Sequence, residues 1–436
     1  MKDTKGLLKF IQDSPSCFHA IKNICDELDQ AGYDLLLENE RWNIQKGGKY
    51  YVVRNMSSVI AFQIPNDISS LSFNFSASHS DSPTYKVKPN FELVSVGQYC
   101  QLNTEGYGGP VPSTWLDRPL SVAGRVIVKE ADTICTKLVK VDKDLLVIPN
   151  IAPHMNPEVS MGMKYNAQID MVPLISTKDS GTGLYDVVSK TINVEKENIL
   201  ASDLFLYVRD RGHIVGANDE FIMSPQLDDL GAAYGCLHGF LQASNNKSVN
   251  VYICFDNEEV GSRTKQGAGS KFLIDTVERI CLSLGLDKED ISCALANSFM
   301  VSADNAHAVH PNQPGRTDSL NKAFLNKGIV IKYNANQSYT TDAISSAYFE
   351  TICKNANVPV QKFANRSDVR GGGTLGAIST SVVSVNSVDI GLPQLAMHSS
   401  CETAGALDIT YMISAMKEYY STHCELMANG TYKIEK

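Results

Sequence analysis

No stretch of this chain approaches the roughly 18–20 consecutive apolar residues needed to cross a bilayer, so nothing supports a membrane span. No CxxC pair occurs, and the eleven cysteines are odd in number. That pattern disfavours a thiolate metal cluster or a disulfide framework and fits a reducing compartment. Triplets such as Asn74-Phe75-Ser76 then carry no glycosylation meaning. Positive charge is short: the formal net charge of -9 argues against nucleic acid as a partner. A local basic group could still select an anionic substrate. The start, Met1 to Ile11, lacks an apolar signal core, and the expected address is the cytoplasm. Repeats and low-complexity tracts are missing as well.

What is present has the composition of a soluble globular protein, 43% hydrophobic and 20% charged. At 436 residues it suits two domains, or one large domain with an insertion. An amphipathic helix opens the chain, its apolar face made by Leu7, Leu8, Ile11, Phe18, Ile21, Ile24 and Leu28. Strand-like pieces follow at 50–54, 58–64 and 71–77. From about 89 to 222 the pattern changes to short β-rich pieces (Arg125–Val128, Leu138–Val141, Leu145–Ile148, Ile169–Leu174) between Gly, Pro and Asn turns. The α/β alternation then returns. A helix is expected over Leu230 to Leu241, a buried strand over Val251–Phe255, a helix at about 270–284 and an apolar segment near 293–301. Both α/β parts carry ligand-type residues. The economical division is therefore an α/β domain in two parts, 1–88 and 223–436, around a β-rich insert at 89–222.

Five places carry candidate chemistry: His79 and Asp81 after one strand, Asp228 at a helix start, Glu258 and Glu259 after the next strand, Asp304 and His307, and His398. Each has an ordinary reading by itself. Asp228 suits a helix N-cap, His398 a hydrogen-bonded core histidine, and the glutamate pair a solvated surface. His307 and His310 fit one helix face or a loop. Taken together, imidazoles and carboxylates, several of them at strand ends, suit Zn, Mn or Co. Two metals can be held if one carboxylate bridges, and such a pair polarises a carbonyl. Proton transfer needs a further carboxylate that is not a ligand, and the adjacent glutamates offer one for each task. Asp81, two residues after His79, is placed to orient its imidazole.

Gly371-Gly-Gly-Thr-Leu-Gly376 formally matches GxGxxG. A dinucleotide site wants a strand before it and an acid about 20 residues later. Asn365 to Arg370 is a poor strand and Asp389 comes early, so a glycine-lined loop that lets substrate approach the backbone is expected instead.

Five segments together resemble the aspartyl aminopeptidase family of dinuclear zinc peptidases. They are Ser78-His-Ser-Asp-Ser-Pro83, Gln226-Leu-Asp-Asp-Leu230, Asp256-Asn-Glu-Glu-Val-Gly-Ser262, Ser302-Ala-Asp-Asn-Ala-His-Ala-Val-His-Pro-Asn312 and Pro393-Gln-Leu-Ala-Met-His-Ser399. The stretch from Tyr107-Gly-Gly109 to Ala123-Gly-Arg-Val-Ile-Val128 is similar to that family's inserted domain. The resemblance implies a central mixed sheet flanked by helices, a zinc-peptidase-like fold. It implies two divalent ions, zinc first with Co or Mn as alternatives. One ion would lie between His79 and Asp304 and the other between Glu259 and His398, with Asp228 bridging and Glu258 as general base. His307, Lys332 and Tyr339 would contact substrate, and His154 would serve a neighbouring subunit's site. It also implies peptide substrates with acidic first residues, and self-association through the insert, commonly as a homododecamer. Lys332 has a second explanation as a surface charge on a strand. Asp229 stands where the family commonly has asparagine, which adds negative charge near the metals. A dinuclear aminopeptidase of broader or neutral specificity is the nearest alternative, and a non-catalytic, metal-stabilised shell protein a more distant one.

Overall fold

The computed structural model describes residues 1–68, 71–244 and 247–435. Among the described residues, nine strands form the main sheet. Their spatial order is Asp34–Leu36, Lys49–Arg54, Ser58–Gln63, Val249–Phe255, Phe73–His79, Phe299–Ala303, Asn386–Gly391, Ile329–Tyr333 and Val360–Ala364. The sheet is mixed. Its centre is parallel, with Val249–Phe255, Phe73–His79, Phe299–Ala303 and Asn386–Gly391 side by side, and antiparallel pairs flank that centre. Central strands buried on both faces read as continuous apolar runs, and Val249–Phe255 is buried at every residue. Alternate side chains serve opposite layers. Val251, Ile253 and Phe255 pack with Phe272 and Val277 of the helix Phe272–Ser283. Tyr252 and Cys254 pack with Leu230 and Leu237 of the helix Leu227–Gln242 and with Tyr420 of the helix Asp408–Tyr420.

The last two helices approach unusually closely. A Cβ placed on Gly239 would lie 2.4 Å from Met416 Cβ and 2.9 Å from the Lys417 nitrogen. Helix propensity alone would favour alanine there by about 1 kcal/mol, but overpacking costs roughly 1–3 kcal/mol. Gly239→Ala is therefore expected to lower the denaturation midpoint, as read by thermal or urea unfolding. A raised midpoint would show that the contact relaxes freely.

A six-stranded sheet runs in the order Thr133–Lys140, Leu120–Glu130, Ile199–Val208, Thr84–Ser95, Tyr99–Tyr107 and Leu174–Thr177, with its own apolar core around Trp115, Val126 and Leu204. This sheet begins at Thr84 and ends at Val208, against the 89–222 read for the insert. Strands His213–Val215 and Phe221–Ser224 join a different sheet, completed by Glu402–Gly405, Pro393–Leu395 and Ala306–His307. That small sheet matters because it ties the start of the helix at 227 to the segment around His398.

Several local expectations change. The opening helix is two, Lys2–Asp13 and Cys17–Gln30, because Pro15 lacks an N–H and pushes its predecessor out of the helical region. Leu145–Ile148 makes only isolated bridges to Leu120, Leu116 and Leu174. Of Ile169–Leu174, only Leu174 enters a strand, Leu174–Thr177. A further helix, Lys288–Ala296, precedes the strand Phe299–Ala303, so the apolar segment near 293–301 divides between the two. None of the helices among the described residues is long and apolar enough to cross a membrane.

Candidate metal centre

Three adjacent parallel strands deliver the first groups. His79 is the last residue of Phe73–His79, directly beside Phe255 in register, and Ser80 N–H donates to the Phe255 carbonyl at 2.8 Å. Glu258 and Glu259 follow Val249–Phe255 in a 3-10 turn, entered through Asn257 at φ +63° and left through Gly261 at φ +95°. Asp304 follows Phe299–Ala303. Carboxyl ends of neighbouring strands in an open α/β sheet are where ligands bind, since the helices leave a crevice there.

Asp228 lies in the first turn of Leu227–Gln242, yet it does not cap that helix. Its backbone angles are non-helical (φ -86°, ψ 108°) and its Oδ1 is buried without a hydrogen-bond partner. The peptide between Asp228 and Asp229 is cis. His398 sits in the left-handed region at φ +67°, partly exposed, with its Nδ1 3.3 Å from the Gly109 carbonyl.

Two groups of ligand atoms result. One atom from each of His79, Asp228, Asp229 and Asp304 lies within 4.8 Å of the others, and so do atoms of Asp228, Glu259 and His398. Asp228 belongs to both. Glu258 forms a third group with His79 and Glu259. The separations are informative: His79 Nε2 to Asp228 Oδ1 is 3.7 Å, His398 Nε2 to Asp228 Oδ2 3.8 Å and His398 Nε2 to Glu259 Oε2 3.4 Å. These exceed hydrogen-bond lengths but suit donors sharing one zinc, each about 2.0–2.2 Å from it. The orphaned Asp228 and Asp229 oxygens and the mixed N/O donor set thus fit divalent cations.

The electrostatics agree. Burial pushes the Asp228 carboxyl up to about 7, with Asp304 adding to it and His79 opposing. Glu258 is pushed up to about 8, by burial first, then by Asp304, Asp81 and Asp228 against His79. Burial also raises Glu259 well above the carboxylate range, and Asp228 reinforces it. For His79, burial alone would lower the value, but Asp229 and Asp81 outweigh it and raise it. His398 is lowered by burial, which favours the neutral imidazole a metal needs. So many buried acids around few cations leave an uncompensated negative field.

The cleft above these groups holds about 540 Å³ and is lined also by His307, Lys332, Tyr339, Gly372, Gly373 and Thr374. Lys332 is a correction to the surface-charge explanation, being only 2% exposed. Its Nζ donates to the Asp304 carbonyl at 2.7 Å, lies 3.8 Å from Asp304 Oδ2 and stands 5.2 Å from the centre of the Tyr339 ring. His307 occupies the short strand Ala306–His307, so neither it nor His310 is on a helix, and His310 does not line the cleft. His154 lies on an exposed turn of the insert and takes no part in this chain's own cleft.

Asp81 faces the His79 imidazole through two groups. The nearer partner of His79 Nδ1 is the Asp81 backbone carbonyl at 3.0 Å, with the carboxylate at 3.4 Å. That carboxylate also accepts from the Glu258 and Glu259 N–H groups, at 3.1 and 3.2 Å, and from Tyr107 Oη at 2.7 Å. Asp229 donates no exposed charge. It is fully buried, Oδ2 accepts the His79 N–H at 3.1 Å, and burial raises it well above the usual range, with Asp304 and Asp228 adding to this against His79. The Gly371 loop runs from Val360–Ala364 to the helix Leu375–Val382, but Asp389 is occupied by Ser302, Thr340 and Thr374 of the same chain. No acid is left there for a ribose.

Sequence reasoning missed three contributors. Tyr107 bridges Asp81 and Asn257, whose Nδ2 donates to Tyr107 Oη at 2.9 Å. Gly108, at φ +71°, packs so close to Glu259 that a Cβ would meet the Glu259 Cβ at 2.7 Å. With the Gly109 carbonyl accepting from His398, three consecutive residues, the last of the strand Tyr99–Tyr107 and the two after it, reach the centre. The third contributor, Glu402, accepts from both the Asp228 and the His398 N–H groups.

Comparison with known proteins adds to this geometry. The family model described as Aminopeptidase I zinc metalloprotease (M18) matches residues 10–420. A probable M18 family aminopeptidase 2 of Clostridium novyi is 46% identical, covering 97% of this chain and 99% of its own. An aspartyl aminopeptidase of Dictyostelium discoideum is 37% identical, with 98% of each covered. Among solved structures, an Ape4 and Nbr1 complex contains a chain with TM-score 0.93 and 34% identity, covering 96% of this chain and 85% of that one. An S. cerevisiae mApe1 dodecamer aligns with TM-score 0.84 and 26% identity over 96% of each.

Proposed function

Since the chain belongs to the M18 family of zinc metallo-aminopeptidases, we propose that it removes acidic N-terminal residues from peptides at a centre of two bridged ions. The observation that carries this is the pair of ligand groups sharing Asp228, with Glu258 beside both. His79 and Asp304 would hold one ion, Glu259 and His398 the other, and Asp228 both. Zinc is the first choice for each. When bound, such a pair supplies Lewis-acid polarisation of the scissile carbonyl and lowers the pKa of water.

The chain's own residues do the rest. Glu258 takes the proton from water and delivers it to the leaving amine, a task suited to a carboxylate that stands beside both ligand groups. Asp81 fixes the backbone of both glutamates, so Glu258 and Glu259 keep different directions. Lys332, charged because Asp304, Asp389 and Tyr339 outweigh the cost of burial, offers a cation in the cleft wall for the first residue's carboxylate. His307 and Tyr339 flank it. We also assign the chain to a homo-oligomer, with a dodecamer as its form, because the mApe1 relative is a dodecamer. Association would run through the insert, with His154 reaching a neighbour's cleft, and the location would be cytoplasmic.

One observation favours broader specificity as a second reading: Lys332 Nζ already serves the Asp304 carbonyl, with that of Asn305 at 3.4 Å. Hydrolysis of Asp-, Glu- and Leu-amides by the zinc-loaded protein decides. Acidic preference predicts kcat/KM at least about tenfold higher for Asp or Glu than for Leu, equivalent to about 1.4 kcal/mol and modest for a charge-assisted contact. Equal values, or a preference for Leu, would select the broader reading.

A further inference from the structure

Glu402 begins the strand Glu402–Gly405, paired with Phe221–Ser224 on one side and Pro393–Leu395 on the other. It is 1% exposed, yet its polar partners are backbone N–H groups and an amide rather than a cation. Oε2 accepts from the Asp228 N–H at 3.0 Å, and Oε1 accepts from the His398 N–H at 2.8 Å, with Gln394 Nε2 at 3.5 Å. One carboxylate therefore ties together two groups that are 170 residues apart in sequence and face each other across 3.8 Å. A buried carboxylate is costly to desolvate, and an apolar side chain would be cheaper if only packing mattered.

We propose that Glu402 is a positioning residue that sets the separation of Asp228 and His398, and with it the affinity of the second metal position. This rests on the two-ion reading above. The geometry explains why the residue is an acid. Two N–H donors converge on one side chain, and a carboxylate presents an acceptor to each. A glutamine presents a single acceptor oxygen and turns its NH2 toward one of the two donors. His398 adds a second reason, because a non-glycine residue at φ +67° is held in a sparsely populated conformation. The bond from its N–H to Oε1, closing a four-residue turn onto a paired strand, opposes relaxation of that backbone. Gln394 carries the tie further, its Oε1 accepting from Asn305 Nδ2 at 3.0 Å beside Asp304.

The test is zinc titration of wild type, Glu402→Gln and Glu402→Asp against a chromophoric chelator, with stoichiometry by metal analysis. In wild type, two ions bind tightly. In Glu402→Gln the second ion, held by both tethered groups, binds roughly 10–100-fold more weakly, and the first, which shares only Asp228 with it, loses less. Activity then falls at limiting zinc and recovers in excess. Glu402→Asp keeps the charge but retracts it, and shows a smaller loss at the same position; it serves alone should the glutamine variant not fold. A purely structural role predicts a lower melting temperature with both affinities unchanged, and that result overturns the inference while leaving the two-ion reading standing. Wild type that takes up a single ion overturns both.

Discussion

Glu258→Gln is expected to lower kcat by about two to four orders of magnitude while the protein keeps its metal and its fold, as for removal of a general base. The substitution preserves shape and removes the group that can accept a proton. Its neighbour Glu259 is the one whose Oε2 stands 3.4 Å from His398, so the second ligand group remains intact. The Asp81 bonds to the Glu258 and Glu259 N–H groups are to backbone and survive the change. Zinc content by metal analysis and kcat on an N-terminal Asp- or Glu-amide substrate are the two measurements. Normal turnover with full metal content would remove Glu258 from the role of base. Loss of zinc along with turnover would make it a ligand instead.

Stripping the metals should have the largest effect on stability, and the effect should depend on pH. Asp228 is pushed up to about 7 and Glu258 to about 8, and Glu259, Asp229 and Glu402 are raised too, in each case by burial first. Their unfolded values are about 3.9 for Asp and 4.3 for Glu. With folded values above unfolded ones, the native metal-free protein binds more protons than the unfolded chain through the window from about 4 to about 8. Stability then falls as pH rises through that window, and the penalty is complete above it. Bound cations replace those protons. Each site filled at a thousandfold excess over its Kd adds about 4 kcal/mol. At about 1 °C per kcal/mol for a chain this long, two sites separate loaded from stripped protein by roughly 8 °C near pH 8. Melting curves of chelator-treated protein should therefore rise between pH 8.5 and 7, and the loaded protein should lose its advantage over the same interval. Superimposable curves, or a stripped protein that melts lower at pH 7 than at 8.5, would contradict the charge pile-up.

Much of this centre was legible because its first groups follow buried strands. Val251–Phe255 is a short apolar run and Phe73–His79 alternates apolar with small polar residues, and charged or imidazole groups just after such strands point to the sheet's carboxyl edge. An α/β body interrupted by a β-rich part followed from the change of pattern along the chain, and the mixed character of the central sheet from the family resemblance. Less visible was anything set by distant pairing. Glu402 lies in Ser400-Cys-Glu402 without a motif, and its only local signal is its position four residues after His398. Tyr107 is one of many tyrosines in β-rich sequence until its hydroxyl is seen on Asp81. Lys332 could have been read better: a single lysine in Ile329-Val-Ile-Lys-Tyr333 interrupts a run that is otherwise apolar or aromatic, and the structure buries it between its neighbours. The helix break at Pro15 was also in the sequence, where an unbroken apolar face drew attention from the residue that cannot continue it.

The placement of Tyr107, Gly108 and Gly109 makes the centre depend on the insert as well as on the α/β body. The α/β body divides around a sheet running from Thr84 to Val208, and the end of that sheet's strand Tyr99–Tyr107 supplies neighbours to Asp81, Glu259 and His398. His398 itself arrives late in translation. The centre is thus shared between the two parts of the fold, and displacing the insert removes the Tyr107 bond from Asp81 and the Gly109 carbonyl from His398.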